Sequence, residues 1–339
     1  MRVGYNPNKD KELEKNNYNH QVIVPVHIPT QEGYFKGSFQ ILQYCLESLF
    51  KTSHSKTYFT IVNNGSCEEV IIYLNQLHQE NKIHEIIHTT TIGKLNAILK
   101  GLTGNQFELI TITDADVLFL NEWQKATYDI FEAFPKTGVV CTTPSSKSFN
   151  YKTFNIFFEM VFSKKIIFKP VKNPKALENF ALSIGNPNFY NAIHLKKYLT
   201  ISNNEISAVI GAGHFVATYR GDVFLDLGIK ASSYSLGGTS ESDLLDLPII
   251  KKGYWRLSTA DNFTYHLGNV EEFWMNEKLE ELRKEELVLD FMIHPALHKQ
   301  SKFVFWFKNI LLEKIMYKKS VKQCFLQYWG LTKEEARNY

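Results

Sequence analysis

Cysteine is scarce in this sequence and nowhere clustered. The four cysteines among 339 residues are Cys45, Cys67, Cys141 and Cys324, and no CxxC pair is present. That spacing argues against a zinc site or a disulfide framework and fits a reducing compartment. Long apolar runs are also missing: no stretch reaches the roughly 18 uninterrupted apolar residues that a membrane span needs. The first 20 residues are polar and charged, without the apolar centre of a signal peptide, so the expected location is cytoplasmic. An excess of one charge is lacking too. Lys and Arg total 38 against 35 for Asp and Glu, a net charge of +3, and nucleic acid is not an expected partner. Internal repeats and low-complexity linkers are absent, which favours one domain with an extension over two separate domains. What the chain does have is apolar residues, 44% of the total against 22% charged, the balance of a folded protein with a large core.

Residues 1–20 read as a flexible lead. Gln21 to Ile28 is a short apolar run with the look of a buried central strand. Ser38 to Phe50 then places Ile41, Leu42, Cys45, Leu46 and Leu49 at helical spacing. Tyr58 to Val62 is a β-branched and aromatic run closed by the turn Asn63-Asn64-Gly65-Ser66, with Ser66 expected to cap the next helix. The rhythm continues with strands at Ile83 to Thr89, Leu109 to Thr113 and Gly138 to Thr142. Helices are expected at Lys94 to Leu102 and Trp123 to Phe134. Strands alternating with helices imply right-handed βαβ units and a mostly parallel sheet. In such a sheet ligands bind beyond the carboxyl ends of the strands. Pro25 to Pro29, Asn63 to Ser66 and Asp114 to Asp116 all fall at such ends. Residues 145–202 break the alternation and read as an insertion beside the site. From residue 271 to 339 the chain reads as a helical, increasingly basic extension, leaving 21–270 as the main domain.

Asp114 and Asp116 follow directly after a buried strand, where two carboxylates need a counter-charge. Hard oxygen ligands suit Mg²⁺ or Mn²⁺, which complete their shell with water and phosphate oxygens. The bland reading is a solvated turn, since Asp is common in turns. Gly93-Lys94 opens a helix and offers backbone N–H groups and an ammonium to an anion, although the spacing is not that of a P-loop. Glu241 and Asp243 stand in the first turn of a short helix after Gly237-Gly238. There they either offset the helix dipole or supply a general base. His266 ends a β-like run and is either structural or a ligand for a borderline cation.

Taken in order, these segments resemble the GT-A fold glycosyltransferases, and within them family 2. Pro25-Val26-His27 looks like the family's "IIPVYN" strand, and Asn63-Asn64-Gly65-Ser66 like its "DNGS" motif. Gly93-Lys94-Leu95-Asn96-Ala97 resembles the "G.a.AlN.G" segment and Asp114-Ala115-Asp116 the DxD. Gly211 to Phe215 through Gly221 to Phe224 resembles the acceptor-side stretch, Glu241-Ser242-Asp243-Leu244 the "EDxDL" region, and His266 the late metal-binding histidine.

The resemblance covers residues 20–270 and implies an α/β GT-A (Rossmann-like) fold, a mostly parallel central sheet flanked by helices. It also implies a metal-dependent enzyme, with Mn²⁺ or Mg²⁺ held by Asp116, Asp114 and His266. The donor would be a nucleotide-sugar, UDP-linked by family frequency, bound by Pro25, Asn63, Lys94, Asn96, Asp114 and Asp116. A hexosyl or hexosaminyl group would pass with inversion to a hydroxyl of a saccharide or lipid-linked acceptor, in polysaccharide or glycoconjugate synthesis.

Two departures stand out. Asn63 replaces the family's strand-two acid, and the ED pair is broken. Either Glu241 is the base with Ser240 replacing the preceding acid, which needs no gap, or Ser242 replaces the base and Asp243 serves. The broken pair keeps open a non-catalytic nucleotide-sugar-binding or scaffold domain. A sugar nucleotidyltransferase is disfavoured because His27 to Glu32 is not a Gly-rich basic loop. Lys302 to Lys308 and Lys318-Lys319 mix aromatics with lysines. That segment either lies on the inner face of an anionic membrane or packs its aromatics on the catalytic domain.

Overall fold

The computed structural model describes residues 4–12, 17–203, 205–225, 227–228, 231–285, 290–297 and 300–339. Its first half alternates as expected. Strand β1 (His20–Val26) leads to helix α1 (Ser38–Thr52), β2 (Thr57–Asn64) to α2 (Glu68–Gln79), and β3 (Glu85–Thr89) to α3 (Lys94–Gly101). Then come β4 (Leu109–Thr113), the short β5 (Val117–Phe119), α4 (Trp123–Ala133) and β6 (Thr137–Cys141). The helical spacing of α1 does what it should: Ile41, Leu42, Cys45, Leu46 and Leu49 are all buried. Each of these Ile and Leu side chains contributes about 1.5–3 kcal/mol by leaving water.

The second half supplies α5 (Phe154–Met160), β7 (Ile166–Pro170), α6 (Pro174–Ser183), β8 (Lys197–Asn203), β9 (Ile206–Ile210) and β10 (Val216–Arg220). A π-helical turn (Ser242–Asp246) runs into α7 (Leu247–Lys252), followed by β11 (Trp255–Thr259), β12 (Thr264–His266) and α8 (Phe273–Glu281). Helices α9 (Lys302–Phe305), α10 (Leu312–Met316), α11 (Lys319–Tyr328) and α12 (Lys333–Asn338) close the chain, so its C-terminal part is helical.

Ten strands form one sheet in the order β3-β2-β1-β4-β10-β6-β11-β9-β8-β7. Strands β3, β2, β1 and β4 pair in parallel, the Rossmann-like half that the βαβ rhythm implies. Strand β10 enters antiparallel between β4 and β6, and β11 returns parallel to β6. With β9 and β7 reversed and β8 restored, β3, β2, β1, β4, β6, β11 and β8 share one sense. The sheet is therefore mostly parallel in direction and flanked by helices, the fold class the motifs implied.

Residues 145–202, expected as an insertion, contribute β7 and β8 to the far edge of this same sheet. β7 alternates buried and exposed positions because only one of its faces is covered, so it lacks the continuous apolar run of a central strand. The expected cap at Ser66 is also corrected. Cys67 holds the N-cap position of α2, and the Ser66 hydroxyl instead accepts from Ile28 N and donates to Val26 O, tying down the end of β1. Among the described residues no helix is long and apolar enough to cross a membrane.

Candidate active site

All five residues of β4 are buried, so the polar residues that follow it are forced out at the sheet's carboxyl edge. Asp114 is fixed there by its N–H, which donates to Phe215 O at 2.7 Å. Two residues later the chain pairs again. β5 and β12 form a two-stranded antiparallel sheet in which His266 stands opposite Val117, and Leu267 N donates to Asp116 O at 2.7 Å. That register brings His266 Nε2 to 3.5 Å from Asp116 Oδ2. The imidazole is further held by Ser183 at 3.0 Å from Nδ1 and boxed by the Phe180 and Phe215 rings.

Lys94, the first residue of α3, sends its ammonium to Asp114 Oδ1 at 2.6 Å and Glu241 Oε1 at 3.5 Å. Burial works against its charge, but Asp114, with Glu241 and Asp116 behind it, more than offsets this and raises the pKa. Burial also pushes the Asp116 carboxyl up to about 6, with His266 opposing and Asp114 reinforcing the shift. The backbone N–H of Lys94, expected to face an anion, instead donates to Ser235 O at 3.0 Å.

The cavity has a volume of about 430 Å³ and is lined by Pro25, His27, Asn64, Lys94, Asp114 and Asp116, among others. This size lies within the range of small-molecule sites. Asn63 is not in its wall. Its Oδ1 accepts from Ser66 N and its amide meets His88 Nδ1 at 3.0 Å, while Asn64 faces the cavity. Asn96 is likewise turned away, clamping the 232 backbone through Ser232 N and Ser232 O. Of the two base candidates, Glu241 joins the network with Lys94. Asp243 instead accepts from Thr239 Oγ1 at 2.9 Å.

Among the described residues, no three His, Cys, Asp or Glu side chains stand close enough to hold an ion by themselves. Asp114 is occupied by Lys94, whereas Asp116 and His266 adjoin. Asp116 Oδ1 is buried and makes no hydrogen bond among the described residues. A buried acceptor without a partner, beside an imidazole and at a cavity wall, fits a cation whose remaining ligands come from phosphate and water.

The motif reading passed over His214, Asp246 and Arg256. His214 Nε2 lies 2.8 Å from Asp246 Oδ1, and Asp246 is ion-paired with Arg256. An arginine in the middle of the apolar run Trp255-Arg256-Leu257 was the available signal, since a buried cation demands a buried partner.

Residues 26–186 match the model of Glycosyl transferase family 2. The resemblance read from the motifs is shown over that segment, which takes in Lys94, Asp114 and Asp116 and ends before Glu241 and His266. No curated protein matches the chain. Among solved structures, S. aureus TarS 1-349 is 13% identical with a TM-score of 0.43, over 77% of this chain and 69% of that one. A further S. aureus TarS structure, 13% identical with a TM-score of 0.43, aligns over 78% of this chain and 42% of its own. The mannosyltransferase PcManGT from Pyrobaculum calidifontis, in complex with GDP-Man and Mn²⁺, is 12% identical with a TM-score of 0.42, over 93% and 74%. At these TM-scores none of the likenesses places a ligand in this chain.

Proposed function

We infer that the protein is a glycosyltransferase, moving a sugar from a nucleoside diphosphate-sugar, UDP-linked, to a hydroxyl acceptor with inversion. The catalytic domain is assigned to residues 21–270, after a lead at 1–20 and before a helical extension at 271–339. The observation that carries this reading is the meeting of Lys94, Asp114, Asp116 and His266 at the carboxyl ends of parallel strands. Both of those acids and the lysine lie inside the segment matched to the transferase family.

In this reading Asp116 and His266 hold Mn²⁺ or Mg²⁺, and Asp114 stays with Lys94. When bound, such an ion neutralises charge developing on the departing diphosphate. The Lys94 ammonium supplies a second positive charge to the same group, and its partial burial keeps water from screening it. Asn64, Pro25 and His27 form the nucleoside side of the cavity. Glu241 is the base: its carboxylate takes the acceptor's hydroxyl proton as the acceptor oxygen attacks the anomeric carbon. The bond from that carbon to the diphosphate oxygen breaks, and its electron pair leaves with the nucleoside diphosphate.

For the C-terminal segment both sequence readings find support, in different residues. Met316, Leu326, Trp329 and Leu331 are buried in the core under β7 and β8. Phe303 and Trp306 are 72% and 46% exposed, beside Lys302. This aromatic and basic face is assigned to contact with an anionic membrane surface, where a lipid-linked acceptor would be presented.

The test is product analysis. With Mn²⁺ and a panel of nucleotide-sugars, the transferase reading expects nucleoside diphosphate. Pyrophosphate from a nucleoside triphosphate and a sugar phosphate would identify a nucleotidyltransferase. Metal-dependent UDP binding without turnover on any acceptor would identify a binding domain.

A further inference from the structure

A chain of three groups, one half-buried and two fully buried, stands behind Glu241. His214 Nε2 is 2.8 Å from Asp246 Oδ1, and Asp246 is paired in turn with the Arg256 guanidinium. Asp246 and Arg256 are 0% and 1% exposed. Arg256 also donates through Nη2 to Ala212 O at 2.6 Å, and its guanidinium carbon lies 5.5 Å from the centre of the Tyr151 ring. Taking two charges out of water costs several kcal/mol per ion, so a buried pair is weak evidence of a stabilising role. What this pair does visibly is fix an imidazole.

Asp246, as a carboxylate, only accepts hydrogen bonds, so the hydrogen of His214 is placed on Nε2. The ring stays neutral, because burial and the field of Arg256 push its pKa down to about 4, with Glu241 opposing. A neutral ring with its hydrogen on Nε2 presents a lone pair at Nδ1. Facing that lone pair, at 3.9 Å, is Glu241 Oε2. The other carboxylate oxygen of Glu241 lies 3.5 Å from Lys94 Nζ. The charged groups around His214 are thus Glu241 and Asp246 from the helix, Arg256 from β11, Lys94 from α3 and Asp114 after β4.

Two acceptors facing each other repel while Glu241 is ionised. Once Glu241 carries a proton, closing the 3.9 Å gap by about 1 Å makes a hydrogen bond from the carboxylic acid to Nδ1. A donor at this place would do the opposite, binding the carboxylate and weakening it as a base. The choice of tautomer therefore bears directly on the chemistry.

We propose that His214 is a positioning residue for Glu241, its Nδ1 accepting the hydrogen bond that Glu241 makes once it holds the acceptor's hydroxyl proton. This rests on the transferase reading of the same site. The acceptor O–H bond breaks toward Glu241 Oε2, and the acceptor oxygen's electron pair forms the bond to the anomeric carbon. The bond from that carbon to the diphosphate oxygen breaks, and its pair leaves with the nucleoside diphosphate. His214 neither gains nor loses a proton; it orients the one on Glu241.

The test reads the tautomer and the rate on the full chain. In ¹⁵N-histidine-labelled protein, long-range ¹H–¹⁵N spectra at neutral pH are expected to show His214 neutral with its hydrogen on Nε2. A hydrogen on Nδ1, or an imidazolium, overturns the proposal. Asp246→Asn, whose amide can donate to Nε2, is expected to move the hydrogen to Nδ1. With UDP-glucose and Mn²⁺ as the probe, it is expected to lower kcat for UDP release on the order of 10- to 100-fold. That loss is within the contribution of a positioned base. His214→Phe is expected to lose kcat similarly while KM for UDP-glucose and calorimetric UDP affinity hold. Unchanged kcat in a folded His214→Phe overturns the proposal. Wild-type protein that releases no diphosphate from any donor defeats the transferase reading and the proposal with it. Turnover alongside an Nδ1-protonated ring defeats the positioning role alone.

Discussion

Lys94 Nζ sits 2.6 Å from Asp114 Oδ1, so the first acid of the Asp114-Ala115-Asp116 triplet already has its counter-charge within the protein. In the proposed site the metal-facing role falls to Asp116, whose Oδ1 is buried and has no hydrogen bond among the described residues. Lys94→Met removes the ammonium that the diphosphate would meet and leaves Asp114 unpaired beside it. Loss of a charged hydrogen bond costs about 1.5–3 kcal/mol, which corresponds to roughly 10- to 100-fold weaker UDP binding. Isothermal titration with UDP and Mn²⁺ measures it; unchanged affinity would remove Lys94 from the diphosphate site.

Gly93 opens α3 with φ at +89°, and a Cβ there would meet Tyr234 O at 2.9 Å. Gly104 has a similar φ of +87° with nothing within 4 Å. Alanine at Gly104 carries a positive-φ penalty of about 1–2 kcal/mol, whereas at Gly93, with ψ at 152°, the backbone is in a region essentially closed to alanine, at a cost of about 1–3 kcal/mol. At Gly93 crowding against the 234–235 backbone adds ~1–3 kcal/mol. Denaturant titration is expected to rank Gly93→Ala clearly below Gly104→Ala in stability. Because Ser235 and Leu236 line the cavity, UDP affinity should fall in Gly93→Ala only.

Two buried imidazoles make stability depend on pH. The Tyr128 hydroxyl lies 2.6 Å from His20 Nδ1 and 2.8 Å from His54 Nε2. Burial holds the His20 pKa well below 6.5, helped by His54. It lowers His54 to about 4, helped by Lys56 and opposed by Asp290. Unfolded histidines take up protons near pH 6.5, whereas folded His54 resists until about pH 4. Between these values the unfolded chain binds more protons, so stability falls as the pH falls through that window. Above it, both states are neutral and this contribution is constant. Urea midpoints should therefore drop from pH 7 to pH 5; a midpoint that rises on acidification contradicts the account.

The aromatic face predicts binding to anionic vesicles. Truncating the C-terminal segment would strip Leu326 and Trp329 from the core, so the sharper variant is Phe303→Ser with Trp306→Ser. Wild-type protein should float with phosphatidylcholine–phosphatidylglycerol vesicles, less so at high salt, and not with phosphatidylcholine alone. Equal flotation of variant and wild type would dismiss the membrane role.

Legibility in the sequence followed the length of the pattern. Leu109 to Thr113 is buried on both faces, so its apolar run announced a central strand and marked Asp114 as its end. Asn63 and Asn64 differ by one residue, and in a strand that reverses the face. Motif position alone selected Asn63, while the cavity receives Asn64. The motifs named both Asp116 and His266, but their contact depends on β5 and β12, strands of three residues each, too short for any periodic signal. The Asp246–Arg256 pair was hidden for a different reason. Its acid lies in a leucine-rich turn and its base in a buried strand, and only the tertiary fold brings them together.

The most direct test of the central claim is release of nucleoside diphosphate from nucleotide-sugars with Mn²⁺, comparing wild-type protein with Asp116→Ala. The account predicts release by the wild type and loss on the order of 10²-fold or more in the variant, the scale of one preorganised electrostatic contact. Release that survives Asp116→Ala undiminished would contradict the assignment of Asp116 as the metal ligand and, with it, the mechanism built on this site.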